Sequence, residues 1–341
     1  MNKILIIKIG ALGDVIMALP ILNKLQTTYN NPSIHWLCGS KVQKVIEATQ
    51  LVDSLSTLNE DHLLRGNFIQ KLWQVFRAWR LIGFKKYNQV IIAHLDKRYS
   101  ILGLFSLSKN RVQFTVEGRK CPALGRYHSF EYVRLVQKGE QERDITYSFP
   151  KLQVVPSTQI KRLVSGFTKR YIVIAPGGNP ELEPGKHLRM WPVESYLKLV
   201  KQLKDSDCQI VLIGGPDDRW LSRKFKGSNV IDCVGKYPLL DLIHLFENSL
   251  GVVTHDSGPL HLALISRSRV LALFGPTNPY EKLPITHPEF KGKIDLLWGG
   301  ETLPCRPCYD GKYYANCNNP LCMKMISIER ASEICLRWIN Q

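Results

Sequence analysis

Four short stretches of this chain hold residues able to do chemistry. In KILIIKIGALGDVIMALP (residues 3–20) a single carboxylate, Asp14, follows Gly10 and Gly13. A carboxylate at such a turn can take the proton of an alcohol. The second stretch joins Gly177 and Gly178 to Lys186 and Arg189. Glycines let backbone N–H groups approach a phosphate, and an arginine can clamp a diphosphate with two hydrogen bonds. The third, LIGGPDD, ends in Asp217 and Asp218. Acids after a second strand are placed where nucleotide-binding sheets hold ribose hydroxyls. The fourth, THDSGPLH, offers Asp256, Ser257, Gly258 and His261 at the start of a helix. Its amides and carboxylate suit a sugar hydroxyl or a phosphate. Taken singly, each stretch is also an ordinary capped turn with surface cations or a structural histidine.

The elements that must carry these residues are legible from periodicity. Ile4–Ile7 is a β-branched apolar run suited to a parallel strand covered on both faces. Val15, Ala18, Leu19, Leu22 and Leu25 then follow helical spacing from Asp14 onward. Further strands are expected at 34–38 and 89–93, the latter ending in His94, Leu95 and Asp96. The first turn is Gly-x-x-Gly, and Cys38, Gly39 and Ser40 stand where a dinucleotide fold would carry its ribose acid. A nicotinamide or flavin cofactor is therefore not expected on the first half. After a linker bracketed by Pro150 and Pro156, the pattern recurs, with strands at 171–175, 208–213, 230–234, 251–254 and 270–274. The reading is α/β, two doubly wound sheets in tandem.

Charge and composition bound the function. The 341 residues include 46 basic and 29 acidic side chains, a formal charge of +17, which implies an acidic partner. With 44% hydrophobic residues the chain can build sizeable cores. No apolar run has the length of a membrane span, and the N-terminus reads as a strand and not as a signal peptide, so a cytoplasmic location is expected. Residues 63–86 form amphipathic helices on which Leu72, Val75, Phe76 and Trp79 share a face among arginines and lysines. Such a face suits an anionic bilayer. The plainer expectation is a packed helix with its aromatic residues buried. Near the end, Cys305, Cys308, Cys317 and Cys322 have a spacing open to structural zinc, with reduced thiols as the expected state.

Together, GALGDVIMALP, APGG with Arg189-Met190-Trp191-Pro192, LIGGPDD, THDSGPLHLA and LALFGPTNP resemble glycosyltransferase family 9, the lipopolysaccharide core heptosyltransferases. The resemblance implies a GT-B architecture, two Rossmann-like doubly wound domains facing a central cleft. An N-terminal acceptor domain (1–155) and a C-terminal nucleotide-sugar donor domain (156–326) are expected, with a final helix (327–341) packing back on the first. It further implies an inverting, metal-independent transfer from a nucleotide-diphosphate sugar, typically ADP-heptose, to a phosphorylated glycolipid. Asp14 matches the family's general base and Gly13 the glycine before it. Gly177, Gly178, Lys186 and Arg189 match the diphosphate-facing loop, and Asp217 or Asp218 the nucleoside-binding acid. Asp256, Ser257, Gly258 and His261 match the donor signature. Arg189 replaces the family's usual lysine. No catalytic cofactor is expected. A monomer, peripheral on the cytoplasmic face of the inner membrane, is implied. A basic nucleic-acid-binding protein is the competing reading from another class; it rests on charge alone, and nucleic acid is not the expected partner.

Overall fold

The computed structural model describes residues 2–118, 120–137, 145–178, 188–309 and 314–341. The chain forms two compact units, Met1–Gln153 and Val154–Gln341.

The first unit is built on a parallel sheet of five strands: β1 (Lys3–Ile7), β2 (Ser33–Gly39), β3 (Ser54–Leu58), β4 (Gln89–Ile92) and β5 (Arg111–Gln113). Their order is β3-β2-β1-β4-β5. Strand β1 is central and Ile4 to Ile7 are fully buried, which is why it reads as an unbroken apolar run. Ile7 lies opposite Leu37 on one side and Ile92 on the other. The strand order reverses between β1 and β4, so a crevice opens at their carboxyl ends. The helix after β1 is split into Leu12–Ala18 and Pro20–Thr28. Pro20 explains the break in the expected continuous helix. It has no N–H to donate, and it opens a new first turn instead.

Helix Phe68–Ile82 begins with a reciprocal cap. The Asn67 side chain accepts from the Gln70 amide (2.9 Å), and the Gln70 side chain accepts from the Asn67 amide (3.0 Å). Its buried residues are Gln74, Ala78 and Ile82. This corrects the expectation of a packed aromatic face.

The second unit is built on six parallel strands: β6 (Tyr171–Ala175), β7 (Gln209–Leu212), β8 (Ile231–Asp232), β9 (Gly251–His255), β10 (Val270–Phe274) and β11 (Ile294–Trp298). Their order is β11-β10-β9-β6-β7-β8. Here the reversal falls between β6 and β9, where Ala175 lies opposite Thr254. Just past the expected linker comes a helix, Thr158–Ser165, capped by Ser157. The Ser157 amide and hydroxyl both donate to the Asp241 carboxylate, at 2.8 and 2.6 Å.

The final helix, Ile328–Ile339, packs in the second unit, where the sequence reading expects a return to the first. Ala331, Cys335 and Trp338 share one core with Tyr196, Leu199 and Val200 of helix Val193–Gln202. Trp338 Nε1 donates to Asp295 at 3.1 Å. A Cβ on Gly251 would come within 2.4 Å of the Trp338 ring, so glycine opens β9 to let the indole seat. Among the described residues no helix is long and apolar enough to cross a membrane.

Candidate active site

In the first unit the chain leaves β1, passes Lys8 to Ala11, and enters helix Leu12–Ala18, which carries Asp14 in its first turn. The Asp14 carboxylate is half-exposed and lies 3.6 Å from the ammonium of Lys8, whose side chain is buried. Lys8 also sits 5.3 Å from the centre of the Tyr132 ring. His94, just beyond β4, braces the same turn: its Nε2 accepts the Ile9 N–H at 3.0 Å. The ring proton is thereby placed on Nδ1. Burial, reinforced by the Lys8 charge, holds His94 well below the usual histidine range, so the ring is neutral. It stacks on Tyr99 with 3.6 Å between ring centres. Asp96 is occupied locally, accepting from the Arg98 amide and guanidinium. Lys8 escapes a motif-based reading, yet a signal existed: it is the one cation inside an apolar run at the carboxyl end of a strand.

The basic residues of 109–130 divide. Arg111 donates to the Gly103 carbonyl at 2.8 Å, and Arg126 pairs at 3.3 Å with Glu131, which is buried and also bound by Arg134. These cations hold the fold together.

In the second unit β6 runs into Gly177 and Gly178. The Asp218 carboxylate lies directly under this turn. It accepts from the Gly178 amide at 3.2 Å and the Gly215 amide at 2.8 Å. A Cβ on Gly177 would sit 2.4–2.6 Å from that carboxylate. Asp218 is thus a brace that joins the turns after β6 and β7, whereas Asp217 is exposed. Lys186 lies outside the described residues.

Strand β9 delivers the THDSGPLH stretch. Asp256 is buried, and Ser257 and Gly258 open helix Gly258–Ile265, which carries His261. Arg189 Nη1 stands 3.6 Å from Asp256 Oδ2, and His261 Nε2 stands 3.9 Å from Oδ1. Burial alone would raise the Asp256 pKa, but His261, Arg189 and Lys282 outweigh it and hold the carboxyl well below the usual range. The Ser257 hydroxyl donates to the His255 carbonyl at 3.2 Å and leaves the helix amides uncapped by its side chain. Asp256 Oδ2, His261 Nδ1 and Thr277 Oγ1 are buried and have no hydrogen-bond partner among the described residues. Unsatisfied polar atoms of this kind cost stability unless a ligand meets them. Thr277, within the FGPTNP turn, and Lys282, just after it, carry no sequence signal for this site, because their burial is set by the fold.

Next to this cluster, the Cys308 and Tyr309 amides donate to the Pro276 carbonyl at 2.9 and 3.2 Å. Arg189 lies 6.0 Å from the Tyr314 ring and Lys282 6.0 Å from the Tyr309 ring. Cys305, Cys308, Cys317 and Cys322 line one cavity of about 160 Å³. Burial and the neighbouring thiols push the Cys308 and Cys322 pKa values up. Among the described residues no group of three or more His, Cys, Asp or Glu is gathered into a metal-holding arrangement.

The structure of ADP-heptose lipopolysaccharide heptosyltransferase II from Escherichia coli superimposes with a TM-score of 0.73 at 18% identity, covering 99% of each chain. That likeness shows the fold, the GT-B class of two parallel-sheet α/β domains. Lipooligosaccharide heptosyltransferase 2 of Haemophilus influenzae is 29% identical over 174 residues, 48% of this chain and 49% of that protein. The match therefore spans about half the length of that relative. Lipopolysaccharide heptosyltransferase 2 of Salmonella typhimurium is 24% identical over 315 residues, 84% of this chain and 86% of that protein. The sequence model of glycosyltransferase family 9 (heptosyltransferase) matches residues 105–291, more than half of the chain. The chain belongs to glycosyltransferase family 9.

Proposed function

We propose that this chain is a glycosyltransferase that moves a heptose from ADP-heptose to a phosphorylated lipopolysaccharide core acceptor, with inversion. The observation that carries the reading is the half-built polar site at the β6/β9 reversal. A buried carboxylate and a buried histidine there have atoms with no partner among the described residues, beside a glycine turn and Arg189. Family membership and the names of the heptosyltransferase relatives supply the sugar.

In the proposed reaction the acceptor hydroxyl oxygen attacks the anomeric carbon as the bond to the diphosphate oxygen breaks. Asp14 takes the hydroxyl proton, and ADP leaves with the electron pair of the broken bond. A helix N-terminus favours the carboxylate form, so proton uptake comes late, when the oxygen is already bonding to carbon. The growing negative charge on the diphosphate is met at the glycine turn by the Gly177 amide, by Arg189 and by Lys186. These cations do the work a metal does in other transferases. Asp256 Oδ2 accepts from a sugar hydroxyl, and His261 Nδ1, its Nε2 turned to Asp256, accepts from another. Asp217, with Asp218 committed to bracing the turn, is the acid available to the nucleoside.

Incubation of the purified chain with ADP-heptose, other nucleotide sugars and core lipid acceptors, read by product mass, tests the reading. Heptosylated acceptor from ADP-heptose is expected. Product from another nucleotide sugar alone moves the assignment to a different donor within the family, and no product from any of them refutes it.

A further inference from the structure

The helix Phe68–Ile82 turns its large apolar residues away from its own core. Phe68 is 75% exposed, Ile69 76%, Leu72 52%, Trp73 59% and Phe76 54%. Their spacing makes one stripe along the helix. The stripe points outward because the opposite side is the seated one: Gln74 accepts the Asn59 amide at 2.9 Å, and Ala78 and Ile82 are fully buried. A second segment extends the surface. Trp79 Nε1 donates to the Ile101 carbonyl at 2.7 Å, and the Phe105 ring packs edge-on to Trp79 at 4.8 Å and stacks on Phe84 at 5.5 Å. Phe84, Leu104 and Leu107 are exposed as well. Arg111 fixes this segment through the Gly103 and Ser106 carbonyls. The result is a continuous, well-anchored apolar face, larger than a scatter of single surface residues requires.

Charge says what covers it. From His62 to Leu95 the chain has no acidic residue, yet it carries Arg65, Lys71, Arg77, Arg80, Lys85 and Lys86, all exposed. An apolar stripe rimmed by cations suits an anionic bilayer surface, where rings and alkyl chains enter the headgroup boundary and cations meet phosphates. A second copy docking on the same face would set these six cations against its own six. We infer that helix Phe68–Ile82, with the adjoining segment 101–107, is an interfacial face that seats the protein on an anionic lipid bilayer. The inference deepens the proposed function, since a lipid-borne acceptor would be met at that surface, but its test needs no nucleotide sugar.

The intact chain is sedimented with vesicles of phosphatidylcholine alone or with a quarter of phosphatidylglycerol. Partitioning at least about tenfold stronger onto the anionic vesicles is expected, weakening as salt is added. The pair Ile69→Ser and Trp73→Ser should lower it at least about tenfold. The pair Lys71→Gln and Arg77→Gln should lower it by about fivefold per cation removed at low salt. An unchanged urea-unfolding midpoint of the first unit in both pairs shows that the fold is kept. Equal binding to both vesicles, binding to neither, or variants that partition like the parent would overturn the inference. So would a concentration-dependent dimer that the apolar pair abolishes. Transfer to a detergent-dispersed acceptor with no vesicle binding sinks the docking face alone; vesicle binding without any transfer sinks the proposed reaction alone.

Discussion

Replacing Asp256 by Asn keeps the shape of the side chain and removes its charge, leaving Arg189 and Lys282 facing a buried neutral group. At an effective dielectric constant of about 20, a unit charge pair at the 3.6 Å separating Arg189 from Asp256 is worth about 4–5 kcal/mol before desolvation is subtracted. Breaking a buried pair by removing one partner costs about 3–5 kcal/mol. Arg189 keeps nearly a third of its side chain in solvent, which favours the lower end. We expect the second unit of Asp256→Asn to lose about 3 kcal/mol in urea unfolding. Adding Arg189→Met should cost less than the two single losses summed, by at least about 1 kcal/mol, because the uncompensated cation is gone. The pH dependence has a definite direction. The folded carboxyl lies below its unfolded value, so its contribution is present in full above about pH 4 and fades as pH falls further. The gap between parent and variant should therefore be constant from about pH 5 to 8 and narrow in acid. A loss under about 0.5 kcal/mol, or a gap that widens in acid, would refute the buried-pair reasoning.

Other consequences follow from the same geometry. Burial, helped by the Lys85 charge, lowers His35 to about 4, and burial holds His94 low as well, so both rings bind protons only in the unfolded chain near pH 6.5. The first unit should lose up to about 1.4 kcal/mol per histidine for each pH unit below 6.5, with His35→Gln flattening the slope; stability level down to pH 4.5 contradicts this. In Gly177→Ala the new methyl displaces the Asp218 carboxylate, and losing its hydrogen bonds should cost about 1.5–3 kcal/mol apiece and weaken ADP binding by more than about tenfold in calorimetry. Unchanged ADP affinity would show that the turn does not face the diphosphate. Iodoacetamide at neutral pH should label exposed Cys305 ahead of Cys308 and Cys322, whose thiols are pushed up; stoichiometric zinc or iron protecting all four cysteines would instead make them a metal site.

The strands were legible because both sheets are parallel and covered on both faces, so β1, β6, β9 and β10 read as apolar runs ending in glycine or polar turns. β3 and β11 escaped because an edge or half-covered strand mixes polar residues into its pattern. Asp218 shows the limit at the site. Type and spacing mark it as a ligand-binding acid, and only coordinates reveal that its oxygens are taken by two backbone amides. Thr277 and Lys282 were hidden for the converse reason, since their burial is a property of the fold and not of any local pattern. The Phe68–Ile82 helix shows that amphipathicity gives a stripe but not the direction it faces. Here Gln74 and Ala78 took the inner side.

The account turns on Asp14 as the group that accepts the acceptor's proton. Its most direct test is the turnover of Asp14→Asn with ADP-heptose and a core acceptor, measured beside calorimetric ADP binding. Loss of transfer by at least about 10³-fold with ADP affinity within twofold of the parent is the predicted result. Near-normal turnover, or turnover lost only in proportion to ADP affinity, would contradict it.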